Sequence, residues 1–220
     1  DKVAAALEKY VHEGGGLILF LGSKVDAVDY NKKLYRDGKG ILPGLLKGIE
    51  GDPKHKQYWG MRPEAVDNPV MDYFRANKRN LSSLIVYEFF NVQVQRQTES
   101  ARVLAFYNRE NPAPAILEKV CGKGKVLLFT TSSDLSWNEM TVGEGPVDFV
   151  PLIQESVRYV CSGSMEPTTG AIGEVYTRVV PKEEVTKEIA IRLPSGESLL
   201  HPVMQDKSGQ YRVTFKETDA

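Results

Sequence analysis

Apolar residues recur at helical spacing at the start of the chain: Val3, Ala4, Leu7, Tyr10 and Val11, with Lys2, Glu8, Lys9 and His12 between them. This pattern predicts an amphipathic helix. Gly14-Gly15-Gly16 ends it, because glycine takes the left-handed cap at little cost. Leu17 to Leu21 follows as an unbroken apolar run, which fits a strand covered on both faces, as in a parallel sheet. After a turn at Gly22-Ser23-Lys24, Asp26 to Arg36 reads as a short helix. The stretch 41–68 is broken by Pro43, Pro53 and Pro63 and reads as an irregular surface insertion. Pro69 to Arg75 predicts one or two helical turns, with Pro69 at a permitted N-terminal position.

A β-rich block comes next. Phe90, Val92 and Val94 alternate with Asn91, Gln93 and Gln95, the period of a half-buried strand. Arg102–Tyr107, Ala115–Val120 and Lys125–Thr131 predict three more, the last two joined as a hairpin through Gly122-Lys123-Gly124. From Val147 to Val160 a helix is expected, with Phe149, Val150, Ile153, Val157 and Val160 on its buried stripe. The segment 162–173 is poor in apolar residues and reads as a linker. Beyond it the pattern is all β, with strands at Val175–Val180, Glu188–Leu193, Leu199–Gln205 and Gln210–Phe215. The organisation predicted is an α/β domain over 1–162 and a β-sandwich-like module over 171–220. The module looks cut short, because it ends at Thr218-Asp219-Ala220 without a closing strand.

Composition narrows the function classes. The 220 residues carry 28 Lys+Arg against 29 Asp+Glu, a net charge of -1, so no general polyanion-binding surface and no nucleic-acid partner is expected. Lys54-His55-Lys56-Gln57-Tyr58-Trp59 mixes basic and aromatic residues, but it is short and reads as a solvated loop. No apolar run approaches the ~18 residues of a membrane helix. Cys121 and Cys161 make neither a disulfide framework nor a zinc site, and His12, His55 and His201 show no ligand spacing, so no metal or cofactor is expected. Cys121 is expected at the hairpin tip near Lys119, Lys123 and Lys125, in a structural role. Cys161 is expected to pack at the end of its helix. The cluster with the most chemical character is Asp134, Trp137, Asn138 and Glu139, which leaves the C-terminal end of a buried strand, where α/β folds place their sites. It offers a carboxylate and an indole to a polar ligand. The favoured structural reading is that Asp134 caps a turn and Trp137 plugs the end of the sheet.

Leu7 to Gly22 resembles the helix, glycine turn and central strand of class I glutamine amidotransferase-like domains. Gly122 to Thr131, with Trp137 and the helix from Val147, resembles the end of the same domains. Tyr30-Asn31, Leu34-Tyr35, Gly38 and Leu42-Pro43 resemble a subgroup found in large bacterial membrane proteins of the aerotolerance-regulator (Bat-type) or von Willebrand factor A-like group. The resemblance implies a flavodoxin-like sheet, incomplete here, and a membrane-anchored bacterial parent, with the extracytoplasmic side favoured. Other domains of that parent or a membrane protein complex are the implied partners. In true amidotransferases a nucleophilic cysteine stands on the strand-to-helix elbow, flanked by glycines. Here the elbow reads Gly22-Ser23-Lys24, so the cysteine is absent and Ser23 lacks the second glycine. The expectation is a non-catalytic scaffold or ligand-sensing domain, with Ser23, Asp134, Trp137 and Asn138 as possible ligand-binding residues. A hydrolase or amidotransferase with a rearranged site and a protein-interaction module are the alternatives.

Overall fold

The structure, a computed structural model, describes residues 2–66, 68–79, 81–94, 101–162, 176–180, 188–192, 198–205 and 211–215. The chain divides into two compact units, Asp1–Ser164 and Met165–Ala220. Apart from Ser162, the expected linker lies outside the described residues, as do Val175, Leu193 and Gln210 of the expected strands.

The first unit is mixed α/β. Its elements are α1 (Lys2–His12), β1 (Gly16–Phe20), α2 (Ala27–Tyr30), β2 (Leu45–Gly51), β3 (Met61–Pro63), α3 (Pro69–Ala76), β4 (Glu88–Gln93), β5 (Ala101–Tyr107), β6 (Pro114–Cys121), β7 (Gly124–Phe129) and α4 (Pro146–Cys161). The main sheet has the order β1-β7-β6-β5-β3. β1 and β7 are parallel, and every other pair is antiparallel. β2 and β4 form a separate antiparallel pair. Alternation along β1 feeds two clusters. Ile18 and Phe20 pack with Leu152, Ile153 and Val160 of α4, while Leu17 packs with Leu7 and Val11 of α1. Gly124 is needed at the hairpin exit, because a Cβ there would lie 2.1 Å from the Val11 carbonyl oxygen.

Several expectations are corrected. β1 is covered on both faces, by α4 and by α1, but it is the outer strand of its sheet among the described residues, and all five of its residues are half-buried. The stretch 41–68 is no surface insertion. Ile41, Leu42, Leu46 and Met61 are in the core, and two strands run through it. Its prolines fall at turns and at the end of β3, so they punctuate the strands without preventing them. The helix expected over 26–36 starts with Asp26 accepting from the backbone N–H groups of Val28 and Asp29, then widens to a π-turn at Asn31–Tyr35. It stops where Arg36 and Asp37 take positive φ values of 48° and 54°. In α1 only Val11 is buried, and Val3 and Tyr10 are exposed. The buried face of α4 is Asp148, Leu152, Ser156, Tyr159 and Val160, so Val150 and Val157 of the expected stripe are exposed. The rotation follows from Asp148, which accepts from Arg79 Nη1 at 3.1 Å and from the Ser83 hydroxyl. Cys161 is exposed rather than packed, whereas Cys121 is buried.

Two consecutive residues of β6 carry buried charge on opposite faces of the sheet. Glu118 accepts from Asn68 Nδ2 at 2.6 Å, the Tyr159 hydroxyl at 2.8 Å and Arg102 Nε. Lys119 donates to the carbonyl oxygens of Gly38, at 2.6 Å, and Gly40. Burial, then the hydrogen bond to Glu118, pushes the Tyr159 phenol up to about 12.

The second unit holds β8 (Tyr176–Val180), β9 (Glu188–Arg192), β10 (Ser198–Pro202), β11 (Met204–Gln205) and β12 (Tyr211–Phe215). β11-β12-β8 form one antiparallel sheet and β9-β10 another. Val213 and Phe215 are buried, and the His201 ring meets Phe215 edge-on at 5.1 Å.

Glu118→Ala leaves the Asn68 amide and the Tyr159 hydroxyl without their shared acceptor, and should cost the first unit about 3 kcal/mol in denaturant unfolding. A loss under about 0.5 kcal/mol, the size of an ordinary surface substitution, would mean that the network is not load-sharing. The raised Tyr159 pKa has its own signature. The folded state keeps this proton above the unfolded value near 10, so its contribution to stability is complete below that pH and is lost as pH rises towards 12. Tyr159→Phe lacks this contribution throughout, so in denaturant unfolding it should be less stable than the original chain at neutral pH and should lose less further stability between pH 10 and 12.

Candidate functional site

β1 and β7 run parallel, so their C-terminal ends leave the sheet at the same edge. Phe20 and Phe129 are register partners there, with rings stacked at 4.4 Å. Beyond them the two chains separate, one through Leu21-Gly22-Ser23-Lys24 and the other through Thr130-Thr131-Ser132-Ser133-Asp134. Between them is a cleft of about 240 Å³, lined by 20–25, 132–134 and Ser136. This is the position that open α/β sheets use for ligands.

The wall from β7 is wired internally. The Ser132 hydroxyl donates to the Asp134 carbonyl at 3.0 Å, and the Ser136 hydroxyl lies 3.3 Å from the Ser132 hydroxyl and also bonds the Asp134 carboxylate. The Ser136 backbone N–H donates to the same carboxylate at 3.0 Å. These bonds, the Ser136 hydroxyl first, hold the Asp134 carboxyl below the usual aspartate range. Asn138 donates to the Ser132 carbonyl at 2.7 Å and to its hydroxyl at 3.1 Å, and accepts from the Met140 N–H at 3.1 Å. On the opposite wall Ser23 is exposed, and its hydroxyl makes no hydrogen bond among the described residues.

Of the four residues singled out in the sequence, the fold brings Ser23 and Asp134 to one cleft. Trp137 and Asn138 do not line it. Trp137 is buried, with its ring 5.7 Å from Phe90, and Asn138 lies beneath the loop, fastening it. Ser132, Ser133, Ser136 and Lys24 line the cleft as well. The serines were signalled by the run Thr130-Thr-Ser-Ser-Asp134 directly after an apolar strand, which places several hydroxyls at a strand end.

His12 and His55 stand elsewhere in this unit. The His12 carbonyl accepts from the Lys123 N–H at the hairpin, which is the other end of β7. The His55 ring stacks on Tyr87 at 4.1 Å, and His201 belongs to the second unit. Burial raises the Cys121 thiol pKa, and nearby Lys119 only partly opposes it. The loop around His55 is closed by Asp52, which accepts from the backbone N–H groups of Lys54, Lys56 and Gln57. Among the described residues no group of three or more His, Cys, Asp or Glu is placed to hold a metal ion, and no helix is long and apolar enough to cross a membrane.

No family model matches the chain, and no curated protein matches it. It is similar in fold to a solved cytoplasmic protein of Salmonella typhimurium LT2, STM1381, with a TM-score of 0.52 at 17% identity, over 74% of this chain and 60% of that one. The chain thus spans about 60% of the length of that protein. A second Salmonella typhimurium cytoplasmic protein, STM3548, gives a TM-score of 0.49 at 15% identity, over 71% and 59% of the two chains. A β-galactosidase from Rahnella sp. R3 gives 0.48 at 13% identity, over 98% of this chain and 30% of that one. The likeness to the first of these shows a shared α/β fold.

Because its carboxyl pKa is lowered in the folded state, Asp134 contributes stability that is present above the unfolded value near 3.9 and is lost as pH falls through the folded value. Carboxyl-carbon NMR titration should find Asp134 ionised below the range of ordinary aspartates, and Ser136→Ala should move its midpoint upward. An unmoved midpoint would mean that the hydroxyl is not what holds the charge.

Proposed function

We propose that the first unit is a non-catalytic ligand-sensing or scaffold domain, of flavodoxin-like, amidotransferase-like type, within a membrane-anchored bacterial protein. The resemblance of Leu7–Gly22 and Gly122–Thr131 supports the family, and that of Tyr30-Asn31, Leu34-Tyr35, Gly38 and Leu42-Pro43 supports the parent. The cleft between the ends of β1 and β7 is where a small polar ligand binds, with Ser23, Lys24 and Asp134 as the groups it meets.

The observation that carries the non-catalytic reading is the absence of a base beside Ser23 among the described residues. A serine nucleophile needs a proton acceptor within hydrogen-bond reach, itself oriented by a third group. His12 and His55 are placed elsewhere in this unit, and the Ser23 hydroxyl has no such partner among the described residues. Asp134 is a poor substitute, because its lowered pKa makes it a weaker base. The hydroxyls of Ser132 and Ser136 are spent on the loop's own network. What remains is a cleft with a cation, a carboxylate and several hydroxyls, suited to holding a small molecule that both donates and accepts hydrogen bonds. Lys24 lines the same cleft and is the one group through which the hydrolase reading survives.

A fluorophosphonate probe, which labels activated serines, distinguishes the two. The chain should stay unlabelled under native conditions. Thermal-shift screening of small polar compounds should find at least one that raises Tm, and Ser23→Trp, which fills the cleft, should abolish that shift. Stoichiometric labelling lost in Ser23→Ala would establish the hydrolase reading instead.

A further inference from the structure

A second, larger cleft of about 580 Å³ lies between the β2–β4 pair and the turn from β5 to β6. Its volume falls in the range of small-molecule sites, and it is more than twice that of the strand-end cleft. Its polar lining is Lys47, Glu50, Asn91, Gln93, Arg109 and Asn111, and its apolar lining is Val92, Ala113 and two prolines.

Two features make this a prepared surface. First, Arg109 is fixed before any ligand arrives. Its guanidinium donates to Glu50 at 2.6 Å and lies over the rings of Trp59 and Phe89, at 5.8 and 5.6 Å from their centroids. The second oxygen of Glu50 accepts from Asn91 Nδ2. Arg109 first, then Asn91, keep the Glu50 carboxyl below its ordinary pKa. Glu50 is therefore occupied by donors of its own chain and positions Arg109. Second, Lys47 sits at a β-bulge. Leu46 pairs with Val92 and Gly48 with Asn91, so Lys47 is the extra residue and has no cross-strand partner. Bulges redirect a side chain out of the ladder. Lys47 is exposed and has no ion pair among the described residues.

The ionised groups of the cleft are Lys47 and Arg109 against Glu50, a local charge of +1. Three side-chain amides supply both donors and acceptors, and the valine and prolines supply an apolar floor. A planar guanidinium and an ammonium lining one cleft suit a carboxylate. Amides suit hydroxyls, and the apolar floor suits the C–H face of a ring. From this combination we propose that the cleft binds a small hydroxylated monocarboxylate, of the sugar-acid class. The site is separate from the strand-end cleft, and nothing in the non-catalytic reading is needed for it.

The test is NMR titration of the full chain with sodium glucuronate, glucose and inorganic phosphate, read at the backbone amides. Glucuronate should shift Lys47, Asn91 and Asn111 in a saturable way and leave Ser23 and Ser133 unmoved. It should bind about tenfold more tightly than glucose, the value of one charge-assisted carboxylate contact. Lys47→Ala, an exposed substitution that leaves the fold intact, should weaken glucuronate about fivefold or more and leave Tm unchanged. The proposal is overturned if glucuronate fails to saturate these amides, or if glucose or phosphate binds as tightly. An unchanged affinity in Lys47→Ala overturns it as well.

Discussion

Glu118 and Lys119 are neighbours on β6, the middle strand of the main sheet, and water reaches neither of them to any extent. Moving an ion out of water costs several kcal/mol, so each must be supplied with partners by the chain. Because side chains alternate along a strand, the two demands fall on opposite faces. Glu118 gathers Asn68, at the start of α3, and Tyr159, near the end of α4. Lys119 gathers the carbonyls of Gly38 and Gly40, where the α2 segment has run out of helical hydrogen bonds. The covering layers on both faces are thus tied to the same point of the sheet.

That arrangement leaves the C-terminal ends of β1 and β7 open for another use. They form the only parallel pair described, so theirs is the one place where two adjacent strands leave the sheet side by side. The loops leaving them are short and polar. One is stiffened by Asn138 and the serine–aspartate network, and the other carries Lys24 and Ser23, whose hydroxyl makes no hydrogen bond among the described residues. Under the proposed reading, this stiffened wall and the Ser23–Lys24 wall hold a small polar ligand between them. Ser23 is proposed as a contact and not a nucleophile, because a nucleophile needs its base in place beforehand.

Much of this was legible in the sequence. The glycine turn, the apolar strands, the hairpin at Gly122-Lys123 and the position of α4 all follow from local pattern. Ser23 and Asp134 were legible as candidates because a strand end is a position, and position is readable. Trp137 and Asn138 were adjacent in sequence but point to different duties, one into the Phe90 cluster and one under its own loop, and only packing decides that. The stretch 41–68 misled because prolines and glycines interrupt its strands, while its buried apolar residues are spread thinly as Ile41, Leu42, Leu46 and Met61. The α4 face was misjudged because a hydrophobic stripe cannot show that Asp148 is buried by Arg79 and Ser83. Lys47 was invisible because a bulge exists only in relation to the partner strand.

The claim that buried charge on β6 anchors the covering elements is tested most directly by amide hydrogen exchange in Lys119→Met. Methionine keeps much of the volume and apolar stem but removes the donors to Gly38 and Gly40. The account predicts that protection falls sharply at the amides of Gly40 and Leu42, which bond to the Tyr35 and Leu34 carbonyls, and little at α4. Exchange that is unchanged at Gly40 and Leu42, or that rises equally through α4, would contradict it.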